Sequence, residues 1–185
     1  QVTLGVGFGS QPGMTRNVDA YDAALASWPL TLQQTAETHR RAIGLLEKAV
    51  ALDPAFGQAW ARLAVAYGGM SGYVPQDKQV WQEKADAAIG RALQLKPVPP
   101  LIHGVLAELS IGRARWSEAA GHYEDLEAEF SARGAPVPFR NGRFLLMMGQ
   151  AREALAVLEA DRARDPLNPE ASFFLAVTHS AVRDF

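Results

Sequence analysis

Three segments of this chain stop a helix in the same way and begin the next in the same register. Glu47 to Pro54 (EKAVALDP), Gly90 to Pro97 (GRALQLKP) and Glu159 to Pro166 (EADRARDP) each read as a helix end closed by proline. Proline lacks the backbone donor a continuing helix needs and pushes the residue before it out of the α region. Nine residues beyond each proline stands leucine (Leu63, Leu106, Leu175), and ten beyond stands alanine (Ala64, Ala107, Ala176). A shared stop followed by a shared register is an internal repeat of helix pairs. One such pair cannot bury its apolar stripe alone, so the repeats must stack.

The three prolines lie 43 and 69 residues apart, which is one repeat of about 34 residues with an insertion, then about two repeats. Trp116-Ser-Glu-Ala-Ala and Ala151-Arg-Glu-Ala-Leu, 35 residues apart, each fill the start of a second helix, and Ser131 stands near the missing middle stop. Small residues at Ala64, Ala85 and Ala92 allow close approach of paired helices, while Trp60, Leu63 and Tyr67 form an i, i+3, i+7 stripe. Trp60, Leu63, Ala64, Tyr67, Ala85, Ile89, Ala92 and Pro97 resemble the pattern of the tetratricopeptide repeat (TPR) family. The resemblance covers nearly everything from about Asn17 onward, with Ser131 and Asp161 departing from the family's closing proline and small residue. It implies an all-α fold of antiparallel helix pairs stacked as a right-handed superhelix, an α-solenoid, over residues 17–185. A narrower resemblance, carried by Asn17-Val-Asp-Ala-Tyr-Asp and the run from Arg41 to Pro54, is to the TPR region of bacterial signalling proteins of winged-helix regulator or nucleotide-cyclase type.

Breakers and periodicity predict helices over 17–28, 35–52, 56–70, 78–95, 99–112, 116–132, 138–148, 151–164 and 169–182: four pairs and one unpaired terminal helix. Residues 1–16 are expected to be an extended lead-in, with a short strand in QVTLGVGFGS, and the start at Gln1 suggests an excised segment. Gly68 to Pro75 concentrates glycines and a proline and is expected to be an extended loop inside the second repeat.

Charge and composition narrow the function. With 18 basic against 20 acidic residues and a net charge of -2, the chain has no general pull toward nucleic acid or anionic lipid. Absence of cysteine removes thiolate metal sites, disulfides and cysteine nucleophiles. A soluble segment is expected, in the cytoplasm by preference or the periplasm, without membrane contact. Gly5-Val-Gly-Phe-Gly-Ser has the wrong glycine spacing for a dinucleotide loop. His39, His103, His122 and His179 are scattered, with no i, i+4 pair around a glutamate. No metal or cofactor is therefore expected: His103 and His179 fall at packing positions, His39 and His122 on the surface. Glu124, Asp125, Glu127 and Glu129 read as a solvated helix face near Arg113, Arg115 and Arg133, and no serine sits in a nucleophile elbow.

The TPR resemblance implies a concave groove lined by first helices: Gln58, Ala61 and Val65, then Gly104 and Glu108, then Phe139, Arg143 and Leu146, then Phe173 and Val177, with Arg140 at the rim. The family's carboxylate clamp of Lys and Asn is absent from Ala61, Val65, Gly104 and Glu108. The expected function is non-catalytic binding of a protein or peptide, with Val65, Glu108, Phe139, Arg140, Arg143, Phe173 and Val177 as the contact residues. Three alternatives stay open: a self-associating scaffold joined through the terminal helix, the regulatory region of a larger signalling protein, and a small-molecule or enzymatic pocket under the Gly68 to Pro75 segment.

Overall fold

The computed structural model describes residues 13–33, 35–96, 98–99, 102–132, 142–167 and 169–183. Among them it is all-helical, with no strand, and neighbouring helices pack in adjacent pairs. The lead-in strand and the Gly5 motif fall outside the described residues. The chain divides into two compact units, Gln1–Glu124 and Asp125–Phe185.

The first unit holds α1 (Val18–Leu32), α2 (Ala36–Leu52), α3 (Gly57–Tyr73), α4 (Lys78–Gln94), α5 (Ile102–Gly112) and the first part of α6 (Trp116–Ala132). Side chains fix the helix starts. Asn17 Oδ1 accepts the Ala20 amide at 3.1 Å, and Thr35 and Thr38 form a reciprocal capping box. Residues 13–17 are tied down: the Thr15 hydroxyl donates to Asp53, Asn17 Nδ2 donates to the Leu52 carbonyl, and Gly13 sits at φ +76 against Pro99.

Two helix ends differ from expectation. α1 runs through Pro29 to Leu32 instead of ending at Trp28. The donor that Pro29 lacks would have served the carbonyl of Leu25, and both residues are exposed, so that carbonyl is not buried without a partner. α3 runs through the glycine-rich segment to Tyr73, followed by a single 3-10 turn, Pro75–Asp77, where a loop was expected. These glycines serve packing. A Cβ at Gly68 would lie 2.8 Å from Leu109 Cδ2, and one at Gly69 would lie 2.7 Å from His39 Nε2.

The core of this unit is continuous from α1 to α5. Ala20, Ala49, Ala59, Ala64, Ala85 and Ala92 are fully shielded and let the helices approach, while Leu46, Leu63 and Met70 fill the space between them. Trp60 packs partly buried against this core, with its Nε1 donating to the Pro54 carbonyl at 3.0 Å. Thus the proline that stops α2 also accepts a bond from the stripe residue of α3.

The second unit contains the end of α6, then α7 (Gly142–Met147), α8 (Ala151–Arg164) and α9 (Pro169–Arg183). Its core is smaller: Ala154, Leu158 and Leu175 bury against Leu145, Leu146, Leu155 and Phe174. Gly142 is required there, because a Cβ would meet Leu158 Cγ at 2.7 Å. No helix among the described residues is long and apolar enough to cross a membrane.

Candidate functional site

In the first unit the heptad-spaced residues Tyr21, Leu25 and Trp28 of α1 lie on the same side as Gln58, Arg62 and Val65 of α3. A small open cavity is lined by Met14, Tyr21, Ala24, Leu25, Phe56, Gln58 and Arg62. Leu25 is 54% exposed, Trp28 46% and Val65 38%, so a band of apolar surface borders it. The Arg62 guanidinium carbon lies 5.2 Å from the centroid of the Trp28 ring, a cation–π contact.

Among the described residues Arg62 is the only charged one lining this cavity, and it has no carboxylate partner among them. Burial pulls its pKa below the ordinary arginine value, with Tyr21 acting in the opposite sense. Arginine nonetheless keeps its charge in proteins. The result is a half-buried cation whose planar fork can hold a carboxylate through two hydrogen bonds, beside apolar ground on two helices.

Of the expected groove residues, Gln58 and Val65 lie on this face, whereas Ala61 is 4% exposed and belongs to the core. Ala61 points between helices because it falls next to Arg62 in the helical turn and shares its side with the buried positions of α3. Gly104 is buried as well. Glu108 is half-buried on α5, where its carboxylate accepts a hydrogen bond from the Tyr123 hydroxyl at 3.0 Å. In the second unit Phe173 and Val177 are exposed one turn apart on α9, Phe173 meeting Phe174 edge-on at 5.2 Å. Arg143 is half-buried on α7, and Leu146 packs into the local core. Phe139 and Arg140 lie outside the described residues.

No family model, curated protein or solved structure matches this chain.

The histidines fall differently from expectation. His39 is half-buried, its ring 5.0 Å from that of Tyr73 and against Gly69, and burial lowers its pKa. Its contacts with Gly69 and Tyr73 of α3 turn it toward that helix and not into solvent. His122, also expected at the surface, has a buried Nδ1 and faces His103 with ring centroids 6.0 Å apart. His179 is exposed, because the buried positions of α9 are Ala171, Leu175 and Thr178, and the next residue turns away from them. Arg113 also departs from the expected balance with the acidic face of α6: it pairs with Asp86 of α4 at 2.8 Å.

Arg62 and Trp28 are the residues that sequence reasoning missed. A signal existed in the i, i+4, i+7 spacing of Gln58, Arg62 and Val65, which places an arginine in the middle of the expected groove face.

Proposed function

We propose that this chain is a helical-repeat interaction module of TPR type, without catalysis of its own, that holds an acidic-apolar segment of a partner protein on the α1–α3 face. The observation that carries the reading is Arg62: a half-buried cation with no carboxylate partner among the described residues, flanked by exposed Leu25, Trp28 and Val65. Leaving a charge desolvated and unpaired is costly, and an incoming carboxylate would relieve that cost at the moment of binding. Apolar flanking side chains would cover Leu25 and Trp28. The adjacent helix pairs, with alanines at their closest approaches, support the repeat reading; the superhelix is part of the proposal.

The test is a peptide array of apolar decamers carrying one Asp or Glu, each beside its Asn or Gln counterpart, probed with the unmodified chain and with Arg62→Met. Carboxylate-dependent binding that Arg62→Met abolishes, with circular dichroism unchanged, supports the reading. Binding indifferent to the carboxylate, or to Arg62, rejects it.

A second reading, self-association through α9, is favoured by the adjacent exposure of Phe173 at 62% and Val177 at 41%. Light scattering over a concentration series tests it: a mass that stays monomeric removes it, and a dimer lost in Phe173→Ser supports it.

A further inference from the structure

We infer that His103 and His122 form a binding site for a divalent transition-metal ion of the zinc class, built across the α5–α6 turn. His103 lies in the first turn of α5 and His122 in the body of α6, and the two helices are joined by the three residues Arg113 to Arg115, with Ala114 at φ 57. The Tyr123 hydroxyl donating to Glu108 at 3.0 Å holds the two helices in this register, one residue from His122.

Two observations point to a metal ion. The imidazole rings face each other at 6.0 Å between centroids with 41° between their planes, and their ligand nitrogens lie within 4.8 Å. His122 Nδ1 is buried and has no hydrogen-bond partner among the described residues, so a ligand atom is removed from water without compensation.

Zinc–nitrogen bonds of about 2.0–2.1 Å in tetrahedral geometry require the two nitrogens to stand about 3.3 Å apart. The half-exposed rings close that distance by rotating about their side-chain bonds. Imidazole donors favour zinc, nickel and copper over magnesium and calcium. With no cysteine in the chain, thiolates do not compete for the ion.

The experiment uses Zn2+ and Ni2+, with Mg2+ as control. Each is added to the unmodified chain while binding is followed by calorimetry and the imidazole resonances by long-range proton–nitrogen spectra. The expected result is stoichiometric Zn2+ binding that shifts His103 and His122 and leaves His39 and His179 in place. His122→Gln should weaken affinity by about 100-fold or more, since even outer-shell changes cost 10–100-fold. His39→Gln should leave it unchanged. Absence of saturable binding overturns the proposal, and so does binding that shifts only His39 or His179. The spectra are read on the unmodified chain, so misfolding of the His122→Gln variant would not leave the site undecided.

Discussion

The Tyr67 hydroxyl of α3 donates to the Glu47 carboxylate of α2 at 2.6 Å, joining the stripe of one helix to the exposed edge of the other. Tyr67 is 8% exposed, and Trp81 and Lys84 of α4 pack on its ring, so one side chain links three helices. Removing only the hydroxyl, with Tyr67→Phe, should cost about 1–2 kcal/mol by urea denaturation, the range for a hydrogen bond to a charged acceptor that water also reaches.

The same contact fixes a pH dependence. Burial, then the bond to Glu47, then the charge of Glu47, raise the Tyr67 phenol above its ordinary pKa. Unfolded tyrosine releases its proton near pH 10, and the folded chain keeps it. The contribution is therefore complete below pH 10 and is lost as pH rises through the raised folded value. Stability above pH 10 should fall less steeply in Tyr67→Phe than in the unmodified chain. Identical alkaline slopes in the two would contradict this.

His39 gives the opposite sign. Burial lowers its pKa, and its Nδ1 has no partner among the described residues. Near pH 6.5 the unfolded imidazole takes up a proton that the folded one refuses, so stability is full above that pH and falls as pH drops toward the folded value. His39→Phe should flatten the decline between about pH 7 and 5. A decline of equal slope in the variant would assign it to other groups.

Much of the helical layout was legible because its signals are local. Pro54 and Pro166 act as stops and the small residues Ala64, Ala85 and Ala92 as points of close approach, each within a turn of where it is read, whereas the caps Asn17 and Thr35 were seen only in the structure. Gly68 and Gly69 misled because a glycine spends its missing Cβ either on a turn or on a neighbour. Only the position of Leu109 and His39 decides which. The facing of His103 and His122, 19 residues apart, likewise depends on how the α5–α6 turn folds back, which no single-helix period encodes. Arg62 went unread because its helix face was visible while its lack of a partner is a property of α1 and α3 together.

The glycines of the helices separate this packing role from intrinsic propensity. Gly44, in the interior of α2, has open space where a Cβ would go, so Gly44→Ala should stabilise by roughly 0.5–1 kcal/mol. Gly68→Ala gains the same propensity but drives a methyl to 2.8 Å from Leu109 Cδ2, and should be neutral or destabilising. Thermal melts of the two variants compare them directly. Equal stabilisation would mean that α3 and α5 yield freely at Gly68.

Arg62 offers the sharpest separation of folding from recognition. Its guanidinium is largely buried, lies over the Trp28 ring and meets no carboxylate among the described residues, so the charge adds little to the stability of the free chain and costs solvation. Methionine retains an unbranched apolar stem of similar reach and removes the charge, so Arg62→Met should leave the melting temperature unchanged or raise it. Lysine keeps the charge but lacks the planar fork and the stacking surface, and should weaken carboxylate binding without restoring it. If Arg62→Met lowers stability by more than about 2 kcal/mol, the guanidinium has an internal structural role. The unpaired cation would then be part of the fold and not a recognition group.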